Sequence, residues 1–288
     1  MRPSLPGRPS SSTVAGYAPN YSQCQNCRIA EAIVLNLESL FDIAGRHIVV
    51  TGGASGIGEA IARGLATLGA LVFSLDNVHE DMAPKKEGMG TLIQMHLDVS
   101  DEEQVRTVFR RITAEVSGVD ALFSNAGISG KPIPFQSLTI QEWQRIHSVN
   151  LDGTFLVARE AVRIMEPARR GKLVFTNSVW GFVAASGVAL SPYASSKGAL
   201  VNLIRHLAVE LAPLGITVNG IAPAGIRTRI ADGFYDDPDA VELLRRSIPL
   251  GRIVEADTII GTAAYLASSA SDHMTGHTMV VDGGLLAQ

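Results

Sequence analysis

The sequence predicts an α/β fold: a doubly wound parallel sheet of about seven strands with helices on both faces, in a single domain. Three observations carry the prediction. Short apolar, β-rich runs recur from residue 46 onward. Segments of helical character separate them, which implies β-α-β units with right-handed crossovers. The runs are nearly continuous rather than alternating in hydrophobicity, as strands covered on both faces must be.

In chain order the runs are HIVVT (47–51), ALVFSL (70–75), TLIQMHL (91–97), ALFSN (121–125), KLVFTNS (172–178), ITVNGI (216–221) and HTMVVD (277–282). The helical segments between them are GIGEAIARGLATLG, DEEQVRTVFRRITAEV, the long stretch TIQEWQRIHSVNLDGTFLVAREAVRIM and SPYASSKGALVNLIRHLAVELAPLG. Ser191 and Pro192 are expected to start the last of these as N-cap and N1. No internal repeat and no Pro/Gly-rich linker follows residue 45. The expected division is an N-terminal extension over 1–40, disordered, and one domain over 41–288 with a lid segment near 228–250.

Of 288 residues, 46% are hydrophobic and only 18% charged, a balance that suits a chain with a large core. The formal net charge of −4 gives no reason to expect nucleic acid or an anionic membrane as partner. No apolar run is long enough for a transmembrane helix. Cys24 and Cys27 form a lone C-x-x-C. Zinc needs four ligands and no second pair supplies them, so solvated thiols and no metal are expected. With no other Cys there is no disulfide framework, which fits a reducing compartment and a cytoplasmic location. Residues 1–28 carry three Arg and no acid, a feature of organelle transit peptides. Their Pro and Gly content argues instead for a disordered extension.

The first strand runs into TGGASGIGE. Gly52, Gly56 and Gly58 follow G-x-x-x-G-x-G between a strand and a helix, with Ser55 and Ile57 in the same turn. Glycine permits positive φ and close approach to a pyrophosphate, and the helix N-terminus offers N–H groups to it. The alternative is an ordinary tight turn. Eighteen residues past Gly58 stands Asp76, at the end of the second strand. A carboxylate there accepts from a ribose 2′-OH and repels a 2′-phosphate, so NAD is expected and NADP is less so. A helix-capping Asp is the competing explanation. The third strand leads to Asp98 and Val99, beside where an adenine would lie. The fourth leads to Asn125, Ala126 and Gly127, small groups that admit a ligand.

Tyr193 and Lys197 are four residues apart at the head of a helix, so they share one face. Alone, the pair also describes a buried Tyr and a snorkelling Lys. The full set is more specific. The Gly-rich turn, Asp98-Val99, the tetrapeptide SNAG, Asn150, Ser178, Tyr193-ASS-Lys197, the Pro223-to-Thr228 segment and VDGG near the end resemble the short-chain dehydrogenase/reductases, over about residues 41–288. The resemblance implies a Rossmann-type fold and hydride transfer between a dinucleotide and a secondary alcohol or ketone. It implies Tyr193 as general acid/base, Lys197 lowering the Tyr pKa and reaching the cofactor ribose, Ser178 polarising the substrate oxygen, and Asn150 anchoring a proton relay. Pro223, Ile226 and Thr228 would complete the nicotinamide site. Ser178 and Asn150 have plain readings too, as a strand-end hydroxyl and a helix-kink residue.

Three departures stand out. Ser124 takes a position where the family usually has Asn. Pro223-Ala224 replaces Pro-Gly, with Gly225 one place later. Ser178 and Tyr193 are 15 apart where 13 is commonest, so an insertion in WGFVAASGVALSP reshapes the pocket, and Ser186 or Ser191 becomes an alternative to Ser178. Trp180, Phe234 and Tyr235 are the candidate substrate contacts, while Asp236 and Asp237 either disfavour an anionic substrate or solvate a loop tip. A small-molecule substrate is expected, a sugar, polyol or cyclic alcohol. Several apolar sides on the Tyr/Lys helix imply a homodimer or homotetramer. The rival function is a non-catalytic NAD-sensing regulator on the same fold.

Overall fold

The computed structural model describes residues 37–184, 188–231 and 234–288. The N-terminal extension up to residue 36, with Cys24 and Cys27, and Ser186 lie outside the described residues.

All seven apolar runs are strands: β1 (His47–Thr51), β2 (Leu71–Asp76), β4 (Gly90–His96), β5 (Ala121–Ser124), β6 (Gly171–Thr176), β7 (Ile216–Pro223) and β8 (Thr278–Val281). They form one parallel sheet. An eighth strand, β3 (Lys85–Glu87), pairs antiparallel to β4 and makes the edge. Its sequence KKE has no apolar run to announce it, and lysines suit a strand with one side open to water.

The strand order is β3-β4-β2-β1-β5-β6-β7-β8. The chain winds outward from β1 through β2 to β4 and then returns to place β5 on the other flank of β1, with Ile48 opposite both Leu122's neighbour Ala121 and Val72. Ligands bind outside the carboxyl ends of the strands at such a switch point.

Successive residues of β1 serve opposite faces. Ile48 and Val50 pack with Ile61 and Leu65 of α1 (Gly56–Thr67) and Ala263 and Leu266 of α7 (Ile260–Ala267). Val49 packs in the second cluster with Phe109 of α2 (Glu102–Glu115), Val157 of α4 (Gly153–Ala168) and Ile204 of α5 (Ser191–Leu211). Two cores explain the continuous apolar strands.

The long segment at 139–165 is not one uniform helix. Thr139 caps α3 (Ile140–His147) by accepting from the Glu142 N–H at 3.2 Å, and a π-helical turn, Ser148–Asp152, joins α3 to α4. Asn150 sits in that turn. A π turn frees local backbone groups, and the Thr154 hydroxyl bonds the Asn150 carbonyl at 2.9 Å. At the head of α5 the N-cap position is Leu190, and Ser191 and Pro192 both lie within the first turn, so Ser191 does not cap. Two further helices are a short one at Leu37–Phe41, inside the stretch expected to be disordered, and α6 (Pro238–Ser247), inside the segment expected as a lid.

Candidate active site

A cleft of about 1000 Å³ opens at the carboxyl ends of the strands. It is lined by Gly52, Ser55, Gly56, Ile57, Asp76, Asp98, Val99, Asn125, Ala126, Gly127, Ser178, Trp180, Tyr193, Lys197, Pro223, Ile226, Thr228 and Tyr235. Two of the sequence candidates do not line it. Gly58 lies behind the turn, where a Cβ would be driven into the Gly52 carbonyl oxygen. Its absence of side chain lets α1 start directly off β1. Asn150 is fully buried, one layer behind the cleft. The side chain of Phe234 lies outside what is described.

At one end, Gly52 and Gly56 adopt φ of 68° and 56°, the left-handed region open to glycine. The Thr51 hydroxyl oxygen accepts from the N–H groups of Asn125 and Ala126 at 3.1 and 3.2 Å, and so ties the ends of β1 and β5 together. Ser55, at the N-cap of α1, makes no side-chain cap bond. The first-turn N–H groups therefore face the cleft without a capping oxygen. Asp76 is held by two backbone donors, Ala54 N–H to Oδ2 at 3.0 Å and Val78 N–H to Oδ1 at 3.1 Å. Asp98 accepts at Oδ1 from the Ser100 N–H and hydroxyl at 2.9 and 2.7 Å. A glycine turn, an uncapped helix start and a fixed carboxylate along one trough suit a dinucleotide.

At the other end, Ser178, Tyr193 and Lys197 meet. All three are buried, at 4%, 9% and 2% exposure. The Ser178 oxygen accepts from the Trp180 N–H at 3.2 Å. The Lys197 ammonium donates to the Thr176 carbonyl at 2.7 Å and stands 5.8 Å from the centre of the Tyr193 ring. Asn150 accepts from the Ile128 N–H at 2.8 Å and donates to the Ile128 carbonyl and the Ser196 hydroxyl, both at 3.0 Å. Ser196 in turn donates to the Tyr193 carbonyl at 2.7 Å. A Cβ on Gly127 would stand 3.2 Å from Asn150 Oδ1 and 3.5 Å from Lys197 Nζ, so both approach one point beside that glycine.

Burial governs the titration of the pair. It pushes the Tyr193 phenol up, with a hydrogen bond with Ser178 working the other way, and it brings the Lys197 ammonium down to about 8. Lys197 is not among the causes of the Tyr193 shift, so the expected lowering of the phenol by Lys197 and an oxidised nicotinamide stays a proposal. In this enclosure both groups resist charging.

The departures find local explanations. The Ser124 hydroxyl donates to Thr154 Oγ1 at 3.2 Å, so it braces β5 against α4 and does not line the cleft. Gly225 takes the turn after β7 at φ 61°, and Val254 N–H donates to its carbonyl at 2.8 Å. Asp237 caps α6, accepting from Asp239 and Ala240 N–H at 2.9 and 3.3 Å. Residues that the sequence reading passed over include Thr176 and Asn177, directly before Ser178, and Ser196, three residues after Tyr193 on the same helix face. Their adjacency to named residues was the available signal. Val188, Leu190, Ile230, Leu243 and Leu244 also line the cleft, and only the fold brings them there.

A Rossmann-type sheet with a dinucleotide trough ending at a buried Ser-Tyr-Lys cluster defines a nucleotide-dependent oxidoreductase. The family model described as enoyl-(acyl carrier protein) reductase matches residues 52–286. The chain is 33% identical over 255 residues to the 5-keto-D-gluconate 5-reductase of Escherichia coli (strain K12), covering 87% of this chain and 99% of that one. It is 36% identical over 247 residues to (+)-borneol dehydrogenase 1 of Salvia officinalis, covering 84% and 94%. The crystal structure of a gluconate 5-dehydrogenase from Burkholderia cenocepacia J2315, in complex with NADP and tartrate, superposes with a TM-score of 0.80 at 32% identity, covering 88% and 99%. The chain belongs to the short-chain dehydrogenase/reductases, and it is an oxidoreductase of secondary alcohols and ketones.

Proposed function

We propose that this oxidoreductase prefers NAD(H), with Tyr193 as its general acid/base. The observation that carries the reading is the convergence of Ser178, Tyr193 and Lys197 in the trough that begins at the glycine turn. When bound, an oxidised nicotinamide supplies the hydride acceptor. The chain's own residues handle the oxygen and its proton. Ser178 holds the substrate oxygen within reach of Tyr193. The Tyr193 phenolate takes that proton as the carbonyl forms, and the phenol returns it in the reverse direction. Lys197 places a positive charge beside the phenol and favours the phenolate. Asn150 positions both by fixing the Ile128 backbone and, through Ser196, the first turn of α5.

The dinucleotide preference rests on Asp76. Its carboxylate is fixed by two N–H groups, and its cleft neighbours Ala54, Asn77 and Val78 are uncharged. A 2′-phosphate about 4 Å away would meet a penalty of about 1–4 kcal/mol for each unit of its charge. The NADP bound to the Burkholderia relative makes this the point to test. Steady-state rates with both dinucleotides are expected to favour NAD(H) in the wild type. Asp76→Ala should narrow the preference by about fivefold or more. Higher kcat/KM with NADP(H) in the wild type refutes the preference.

A homodimer or homotetramer is part of the reading. Phe155 on α4 and Val209 on α5 are 51% and 79% exposed, and burying them against a second copy would remove apolar surface from water. Light scattering at micromolar protein tests it, and a monomeric mass rejects it.

A further inference from the structure

The part of the cleft beyond Tyr193 differs in character from the trough. Trp180, Val188 and Leu190 approach from the strand-end side, and Ile230, Leu243 and Leu244 from the lid. Ile230, Leu243 and Val188 are 40%, 67% and 37% exposed, so apolar surface gathers at one mouth. The neutral hydroxyls there already donate their protons within the protein. Ser129 donates to the Ile230 carbonyl at 2.6 Å, Ser247 to the Leu244 carbonyl at 2.7 Å, and Tyr235 to the Ile226 carbonyl at 2.6 Å. Asn177 is the exception, 1% exposed at the cleft wall beside Ser178, and both its amide atoms lack a protein partner. Among the described residues the charged lining is otherwise accounted for: Lys197 donates to the Thr176 carbonyl at 2.7 Å, and Asp76 and Asp98 flank the dinucleotide trough. Arg229 stands where the cleft meets a second cavity over the first turn of α1, shared with Gly56, Thr228 and Tyr235.

A polyhydroxy acid needs a cation for its carboxylate and a partner for every hydroxyl it buries, and each one left unpaired weakens binding. Among the described residues this half of the cleft offers mainly hydrocarbon walls, one amide without a protein partner, and hydroxyls whose protons are already donated. We infer that the substrate is an uncharged alicyclic secondary alcohol or its ketone. Its single reacting oxygen would meet Ser178 and Tyr193, at most one further polar group would meet Asn177, and hydrocarbon would fill the rest. A rigid ring also loses little conformational freedom when held between two walls. The inference rests on the oxidoreductase reading but is narrower, since the sugar-acid relative at 33% identity and the borneol dehydrogenase at 36% point in different directions.

The test is a panel of borneol, 4-methylcyclohexanol, 2-octanol, sorbitol and D-gluconate, each with NAD and NADP. The alicyclic alcohols are expected to exceed sorbitol and gluconate in kcat/KM by about a hundredfold. Leu243→Asp, a surface change, should raise KM for them about tenfold or more with a smaller effect on kcat, while Leu243→Met stays near the wild type. Preference for gluconate, sorbitol or the open-chain 2-octanol overturns the inference and leaves the enzyme class standing. Binding of camphor with NADH present, followed by Trp fluorescence in wild type and Tyr193→Phe, separates the two readings. Saturable camphor binding without turnover of any alcohol refutes only the dehydrogenase reading, whereas no camphor binding refutes the inference.

Discussion

Replacing Lys197 by Met would isolate what it takes to bury an ammonium in this cleft. Burial brings Lys197 from 10.5 down to about 8, which corresponds to about 3 kcal/mol against folding at neutral pH. The same substitution strips the Thr176 carbonyl of its 2.7 Å donor, a loss of about 1–3 kcal/mol. The two effects oppose each other, so the net change at any one pH is small. Their pH dependence differs, however, and that makes the prediction sharp. Below pH 8 the penalty of the charged Lys is fully present. Between about 8 and 10.5 the unfolded chain holds a proton that the folded chain has released, so wild-type stability rises with pH relative to Lys197→Met. Tyr193 is pushed upward and contributes with the opposite sign above its ordinary value near 10, but it is present in both proteins. Measured by thermal unfolding at pH 7.5 and 10, the difference between the two proteins should move by about 2 kcal/mol in favour of the wild type. That is about 4 °C or more in relative Tm. The variant should also lose turnover. A stability difference that does not change with pH would refute the argument that Lys197 is held in a dry enclosure.

Two further outcomes follow from the geometry. Asn150→Ala removes three hydrogen bonds, one buried and two part-buried, and takes the side-chain partner from the Ile128 N–H and carbonyl, so unfolding by urea should show a loss of about 3 kcal/mol, and kcat should fall with little change in dinucleotide affinity. Gly58→Ala presses a methyl group into the Gly52 carbonyl, so isothermal titration should show dinucleotide binding weakened by at least about tenfold, while Gly118→Ala, with open space around it, should bind as the wild type does.

Much of this protein was legible one residue at a time. The inner parallel strands need hydrophobic side chains on both faces, and the run around Ile48, Val49 and Val50 carries that demand openly. The glycine turn was equally plain, because close backbone approach excludes other residues locally, as at Gly58. Tyr193 and Lys197 could be paired because helix geometry relates positions four apart. β3 was missed because an edge strand of Lys and Glu buries too little to leave a pattern. The π turn at Asn150 was missed because its periodicity differs from an α-helix by one residue.

The sequence by itself determined the parallel strands and the glycine turn, since each is dictated by neighbours close in the chain, and its resemblance to a family pointed to the candidate reacting side chains. Only the tertiary structure decided that Tyr193 and Lys197 are enclosed enough for burial to rule their titration. It also decided that Leu190 and Leu243, more than fifty residues apart in number, form one apolar wall system opposite the dinucleotide trough. Enclosure and the character of a pocket are sums over residues from distant segments, and no local stretch of sequence contains them.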